Sequence, residues 1–321
     1  MKKLGMLLTA LLLLLLLPVT GFAEEMLVPV GKIVGLQLCN DTVTVAAFDD
    51  AMGSLAQDAG LRIGDEILKA GKRTVRTPQD VREALEECGG LITLTVRRGS
   101  KQSTLDITPR KTDSGYRLGV FLRQGIAGIG TVTWYDPETG KFGALGHGVN
   151  EAGGCLLKMT EGSTFDAEVL SVKKGKAGCP GQLKGSADTN RICGNLYKNS
   201  PKGVFGVTRE QWEGTPIPTA ALSDLHTGTA SIRSTVTGST PRDYSVEILK
   251  IYPSSRTDGR DLLLKITDPA LLEATGGIVQ GMSGSPIIQD VKLIGAVTHV
   301  LVGDPTMGYG IYIGNMLEAA G

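Results

Sequence analysis

Residues 281–286 read Gly-Met-Ser-Gly-Ser-Pro, and residues 292–297 that follow read Lys-Leu-Ile-Gly-Ala-Val. Glycines on either side of a serine let the backbone bend sharply and leave room for a substrate carbonyl near the hydroxyl. The amides of Gly281 and Ser283 could then point at the oxygen that becomes negative during acyl transfer. The stretch predicts that Ser283 is a nucleophile on a tight turn before an apolar strand. Such clusters also form ordinary turns, so the surrounding sequence must decide.

A nucleophilic serine needs a base, and the chain contains three histidines. His147 lies in Gly-Ala-Leu-Gly-His-Gly (143–148), at the end of a predicted strand, where glycines on both sides let its ring reach into a cleft. His226 lies among turn-forming residues and is expected in solvent. His299 lies in an apolar strand, and we expect it to be a satisfied core or edge histidine or a wall of the site. His147 is therefore the predicted base.

The residues alone leave the orienting carboxylate open. Asp268 precedes Pro269 and a short helical pattern that ends at Gly276, so we expect it to cap that helix. Five other carboxylates remain candidates for the orienting role: Asp224, Asp258, Asp261, Asp290 and Asp304.

Residues 28–109 are predicted to form a strand-rich unit with one amphipathic helix. Thr77 is the expected N-cap, Pro78 the first helical residue and Asp80 the acid of a capping box. The apolar face of this helix recurs at helical spacing and consists of Val81, Ala84, Leu85 and Cys88.

Within that unit, residues 59–68 read Ala-Gly-Leu-Arg-Ile-Gly-Asp-Glu-Ile-Leu, which resembles a PDZ domain of the kind attached to exported bacterial proteases. The resemblance implies a loop that binds a peptide carboxylate through its backbone amides. It places that loop at Ile33, Val34, Gly35 and Leu36. A peptide, from this chain or from another, would add as a strand beside residues 36–39 and against the Val81 face of the helix. The alternative is a packing unit without a ligand.

The second half of the chain, residues 113–321, follows a short polar linker. Short apolar runs at 130–134 and 142–145 flank Asp-Pro-Glu-Thr-Gly (136–140), which predicts a hairpin. Residues 150–215 read as loops, and only 269–274 reads as a helix. Short strands with a turn about every 8 to 12 residues favour an all-β barrel or sandwich.

Composition and the first residues limit the function classes. The 321 residues carry 33 basic and 33 acidic side chains, so no global charge indicates a nucleic-acid partner. Residues 1–23 combine two lysines, an apolar run and a small-residue end, which predicts an export signal or, alternatively, an N-terminal anchor.

The five cysteines are an odd number for an exported protein, and none forms a Cys-x-x-Cys pair. We therefore expect neither a metal site nor a cofactor. Cys179 and Cys193 are close enough in sequence to pair, but spacing does not determine connectivity.

Taken together, the apolar N-terminus, the PDZ-like unit, Gly-Ala-Leu-Gly-His, Thr-Asp-Pro (267–269), Gly-Met-Ser-Gly-Ser-Pro and Gly-Ala-Val-Thr-His-Val (295–300) resemble the sporulation stage IV protein B serine peptidase family. The resemblance places the nucleophile at Ser283, the base at His147 and the orienting acid at Asp268. It implies a mainly β chain, in which a chymotrypsin-like double β-barrel follows the PDZ domain.

The same resemblance implies a biological role. The protein would be a secreted endopeptidase that cleaves itself and a membrane-associated regulatory protein. It would act between the two forespore membranes and release an intramembrane protease that matures a late sigma factor. The alternatives are a PDZ adaptor with an inactive peptidase-like domain and a general quality-control protease of the envelope.

Overall fold

The computed structural model describes residues 25–151, 154–252 and 258–321. The predicted export signal, residues 1–23, lies outside the described residues. Four α-helices lie in the described part, α1 (Ser54–Asp58), α2 (Pro78–Cys88), α3 (Pro269–Thr275) and α4 (Ile313–Ala320), together with a short 3₁₀ helix at Leu222–Asp224. Within these ranges, none of the helices has the length and apolar character of a membrane span.

Twenty strands complete the described secondary structure: β1 (Met26–Pro29), β2 (Ile33–Phe48), β3 (Glu66–Ala70), β4 (Arg73–Thr74), β5 (Ile92–Arg98), β6 (Lys101–Ile107), β7 (Arg110–Thr112), β8 (Gly115–Arg117), β9 (Val120–Tyr135), β10 (Lys141–Ala144), β11 (Glu161–Lys173), β12 (Gln182–Ser200), β13 (Gly203–Thr208), β14 (Ile217–Pro218), β15 (Gly228–Ser234), β16 (Arg242–Ile251), β17 (Leu262–Ile266), β18 (Pro286–Gln289), β19 (Lys292–Leu301) and β20 (Asp304–Tyr312).

Two rings of strand pairing follow one another along the chain. The first runs β2, β9, β10, β13, β12 and β11, and the pairing of β11 with β2 closes it. The second is the closed barrel β15, β16, β17, β20, β19 and β18. Aliphatic side chains fill the second barrel, and Leu262, Leu264 and Ile287 are fully buried in it. The mainly β architecture with two barrels agrees with the fold implied by the family resemblance.

The PDZ unit packs around the Val81 face of α2. Thr77 and Asp80 form the predicted capping box, and Val81, Ala84 and Leu85 are buried. Cys88, predicted on the same face, is exposed. The core of the unit begins at Val43 and extends to Leu118, with Leu122 packed against it.

The predicted PDZ boundaries, 28–109, therefore need correction. β2 and β9 each contain 16 residues and belong to both units. Residues 33–38 pair with 126–131 in the first barrel, whereas residues 43–48 pair with 120–124 in the PDZ unit. The two long strands thus join the PDZ unit to the first barrel without an intervening linker.

The predicted peptide loop at Ile33, Val34, Gly35 and Leu36 is wrong for the same reason. These residues pair with β9 on one side and with β11 on the other, so a peptide has no free edge there. Leu36 instead lines the cavity between the two barrels that is described below.

Residues 150–215 also differ from their predicted loop character, because they contain β11, β12 and β13. Polar side chains on these strands face solvent, and the long pairing of β11 with β12 satisfies their backbone groups. All five cysteines, including Cys179 and Cys193, are free thiols.

Candidate active site

A cavity of about 450 Å³ lies between the two barrels, and both Ser283 and His147 line it. Leu36, Leu145 and other residues of the first barrel form one wall. Ile278, Thr298 and His299 belong to the opposite wall. The two residues that the sequence predicts for one site thus line the same cavity, and their catalytic roles stay predictions.

Ser283 lies on a turn held against the first barrel. The Thr131 amide donates to the Ser283 carbonyl at 3.1 Å, and the Thr131 hydroxyl donates to the Gly281 carbonyl at 2.7 Å. A Cβ on Gly284 would lie 2.0 Å from the Thr131 carbonyl oxygen, and the φ of this glycine is +96°. Glycine is required at 284 because the turn approaches β9 so closely.

The amides of this turn divide into two groups. Those of Met282, Gly284 and Ser285 donate to the carbonyls of Val279, Val297 and Met282. Among the described residues, the amides of Gly281 and Ser283 have no backbone or side-chain acceptor. These are the two amides predicted to bind the oxyanion, and they remain available to a ligand.

His147 follows β10, and the two residues just before it have positive φ angles. Leu145 has a φ of +68° and Gly146 one of +69°, and such a conformation in leucine is uncommon outside functional or strained sites. The Nδ1 of His147 lies 3.0 Å from the Gly148 carbonyl oxygen. Because a carbonyl oxygen only accepts, Nδ1 carries the proton and Nε2 offers the lone pair that a general base needs.

Burial lowers the pKa of His147 below its ordinary value, and the hydrogen bond to Gly148 opposes this effect. The ring is therefore neutral at neutral pH, as a base must be. The Ser283 hydroxyl donates at 2.8 Å to the carbonyl of Thr298. Among the described contacts, no hydrogen bond joins Ser283 to His147.

Asp268 lies at the start of α3 and does not line the cavity. One carboxylate oxygen accepts from the Leu271 amide at 2.9 Å, and the other accepts from the Ser245 amide at 3.4 Å. Pro269 occupies the first turn of the helix and Gly276 ends it. The cap expected from the sequence is present, and the orienting role implied by the resemblance stays a prediction.

The five other candidate carboxylates also have partners. Asp224 pairs with Lys292 at 2.9 Å, and Asp290 pairs with His226 at 2.7 Å. Oδ1 of Asp304 accepts from the amide and the hydroxyl of Thr306. One oxygen of buried Asp261 accepts from Tyr312 and Asn315. Asp258 accepts from the Arg260 amide at 3.3 Å.

The two other histidines differ from each other. His226 is exposed, as predicted, and its ring binds Asp290. His299 forms part of the cavity wall, as one of the predicted alternatives states. It is not a satisfied histidine, however, because its buried Nδ1 has no hydrogen-bond partner among the described residues.

Sequence reasoning missed Thr131. This residue is fully buried in β9 and holds the carbonyls of Gly281 and Ser283. The sequence signal is weak, because Thr133 is equally buried in the same strand and its hydroxyl has no hydrogen-bond partner among the described residues.

Two family models match the chain. The family model described as SpoIVB peptidase S55 matches residues 114–317, which include Ser283 and His147. The chain belongs to the SpoIVB peptidase S55 family. A second family model, that of the PDZ domain, matches residues 51–98. The protein is therefore a serine peptidase with an N-terminal PDZ domain.

Individual relatives are more distant. Serine protease HTRA1 of Xenopus tropicalis is 33% identical over 58 residues, which is 18% of this chain and 13% of that protein. The match thus spans less than a fifth of either protein. Two crystal structures of Rv3671c from M. tuberculosis H37Rv, both inactive forms, share 15% identity and a TM-score of 0.33. Each match covers 60% of this chain. It covers 79% of the chain in the first structure and 82% of the chain in the second.

Proposed function

We propose that this S55 peptidase is an endopeptidase in which Ser283 is the nucleophile and His147 the general base. The observation that carries the proposal is the cavity lined by both side chains, next to two amides without acceptors. In the reaction, the Ser283 hydroxyl leaves Thr298 and passes its proton to Nε2 of His147 as it attacks a peptide carbonyl. The amides of Gly281 and Ser283 stabilise the oxyanion, and His147 then protonates the leaving amine.

Substrate recognition in this proposal is mainly apolar. The described side chains of the cavity wall are mostly aliphatic, among them Leu36, Ile129 and Val300. Apolar side chains near the scissile bond would gain free energy by leaving water there. The expected substrates are proteins or peptides with aliphatic residues beside the cleaved bond.

We also propose the regulatory role that the family resemblance implies. The protein would be exported, cleave itself and cut a membrane-associated regulator during sporulation. Its PDZ unit would bind a peptide along residues 120–124 of β9. This segment pairs with β2 on one edge, and no described strand pairs with the other. A synthetic peptide with a C-terminal valine should slow amide exchange at 120–124 and leave 33–36 unchanged.

Fluorophosphonate labelling tests the proposed chemistry, because the probe reacts only with an activated serine. The purified chain without residues 1–23 should label, and Ser283→Ala should not. His147→Ala should label at the background rate, although its serine is intact. Equal labelling of all three proteins would remove both residues from the mechanism, and no labelling of the parent would favour an inactive PDZ adaptor.

The breadth of digestion separates the regulatory role from quality control. Incubated with unfolded casein, a quality-control protease would produce many fragments. The regulatory peptidase should leave casein nearly intact and cut its own chain at few positions. Extensive casein digestion that depends on Ser283 would support the quality-control function instead.

A further inference from the structure

The tip of the β11–β12 hairpin, residues 173–182, concentrates positive charge on one short segment. The whole chain has equal numbers of basic and acidic side chains, whereas residues 169–187 contain no aspartate or glutamate and four lysines: Lys173, Lys174, Lys176 and Lys184. Among the described residues, none of these lysines forms an ion pair. An anionic partner would therefore meet them without displacing an existing ion pair.

Backbone hydrogen bonds fasten the tip to the second barrel. The Gly175 amide donates at 2.8 Å to the carbonyl of Thr275, the last residue of α3. The Gly178 amide donates at 2.8 Å to the carbonyl of Val302, which lies between β19 and β20. The lysine side chains at 173, 174 and 176 are exposed on this fixed backbone. Their charges thus lie on a defined face of the molecule.

The base of the tip contacts the wall of the cavity between the two barrels. The Gln280 amide donates to the Gly181 carbonyl at 3.0 Å, and the Leu183 amide donates to the Gln280 carbonyl at 2.8 Å. Gln280 and its neighbour Gly281 both line the cavity that contains Ser283. A surface bound at the tip would therefore lie beside the cavity.

Two exposed aliphatic side chains accompany the lysines. Leu170 is 65% exposed, and the register of β11 with β12 shifts between Val169 and Ser171, so Leu170 occupies a bulge. Val302, whose carbonyl binds the tip, is 52% exposed. Lysines beside exposed aliphatic residues are typical of surfaces that lie at a membrane interface. An acidic polypeptide would pair with the lysines but would have no need of the two aliphatic side chains.

We propose that the β11–β12 tip binds a membrane surface that contains anionic phospholipids. The lysines would lie at the headgroup phosphates, with Leu170 and Val302 at the interface. The elements that contact the tip carry two carboxylates, Glu273 in α3 and Asp304 at the start of β20, so lysines are in excess on this face. The binding itself is independent of catalysis. Its consequence, that the cavity is presented to membrane-associated substrates, rests on the proposed function.

Sedimentation with lipid vesicles tests the proposal. The purified chain without residues 1–23 keeps every contact described above. It should bind vesicles of phosphatidylcholine mixed with phosphatidylglycerol, and it should not bind vesicles of phosphatidylcholine alone. A variant with Lys174→Gln and Lys176→Gln should bind the mixed vesicles about 25-fold more weakly, at about fivefold for each lysine. The matched control, with Lys72→Gln and Lys101→Gln, removes two exposed lysines of the PDZ unit and should bind like the parent.

Three results would overturn the proposal: equal binding of the parent and the tip variant, an equal loss in the PDZ control, and absence of vesicle binding by the parent. Binding of polyglutamate to the tip in the last case would assign it to an acidic protein segment instead. Fluorophosphonate labelling without vesicles should be the same in the parent and the tip variant. A parent that binds the mixed vesicles but does not label would overturn the proposed function and support the lipid contact.

Discussion

The two barrels contribute one of the two proposed catalytic side chains each, and they hold those side chains by different means. In the first barrel, His147 follows two residues with positive φ and bonds to the carbonyl of its own neighbour, Gly148. In the second barrel, the Ser283 turn is held from outside, because Thr131 of the first barrel binds the carbonyls of Gly281 and Ser283. The histidine is thus positioned locally and the serine across an interface.

This difference assigns a specific role to β9. The strand pairs with β2 in the PDZ unit at 120–124, lines the cavity at Ile129 and holds the nucleophile turn at Thr131. A shift of the strand would move the serine turn, whereas the local bond of His147 would be retained. The separation of the Ser283 and His147 side chains should therefore respond to changes at this interface.

The largest expected effect comes from removing the histidine that its own neighbours position. His147→Ala should lower turnover of a peptide substrate by about 10⁶-fold, because the loss of one member disables the pair as a unit. Ser283→Ala should cost about the same, and the double variant should be no slower than either single one. Additive losses in the double variant would show that the two residues act independently.

A substitution at Gly284 tests how the first barrel holds the serine turn across the interface. Gly284→Ala would place a Cβ 2.0 Å from the Thr131 carbonyl and 2.5 Å from the Leu145 amide nitrogen, at a φ of +96°. We expect a loss of about 3 kcal/mol in the free energy of unfolding, together with loss of labelling. Urea denaturation measures the first effect. Gly303→Ala is the control, because a Cβ there meets no atom within 4 Å.

Substitutions of Asp268 distinguish a role as helix cap from a role as orienting acid. Asparagine caps a helix as well as aspartate does, so Asp268→Asn should preserve stability, and it should also preserve turnover if the residue is only a cap. Asp268→Ala should cost about 1 kcal/mol of unfolding free energy. A fall in turnover of about 10⁴-fold in Asp268→Asn, with unchanged stability, would instead assign it the orienting role.

The site could be predicted from the sequence where small residues and glycines restrict the backbone. The turn at 281–286 and the Gly-Ala-Leu-Gly-His motif predicted that Ser283 and His147 share a site, and both side chains line one cavity. The capping pattern at Thr77 and Asp80 was similarly local, and the structure contains it. Such signals depend only on neighbours in sequence.

The errors came from pairing between distant segments. The PDZ resemblance placed the peptide loop at 33–36, but β9 and β11 cover both edges of that segment. Residues 150–215 resembled loops because the polar side chains of β11 and β12 face solvent. Neither the partners of these strands nor the buried contact of Thr131 with Gly281 leaves a local pattern in the sequence.

The smallest expected effect is on how the free energy of unfolding changes at acid pH. The folded pKa of His299 is lowered to about 4 by burial, His147 and Arg260, against the opposing charge of Asp258. Below its unfolded pKa of about 6.5, the unfolded chain binds a proton that the folded chain does not, so stability falls as the pH drops toward 4.

Urea denaturation at pH 7 and pH 5 should therefore show a smaller loss of stability in His299→Asn than in the parent. The contribution of His226 to stability changes with pH in the opposite direction, because the Thr227 carbonyl and Asp290 raise its pKa. Its contribution is present at low pH and lost as the pH rises, so His226→Asn should make the acid loss larger. If the parent and both variants lose the same stability between pH 7 and pH 5, then neither histidine has a pKa that differs between the folded and the unfolded chain. The opposed signs of a cavity histidine and a surface histidine make this comparison sensitive even to a small effect.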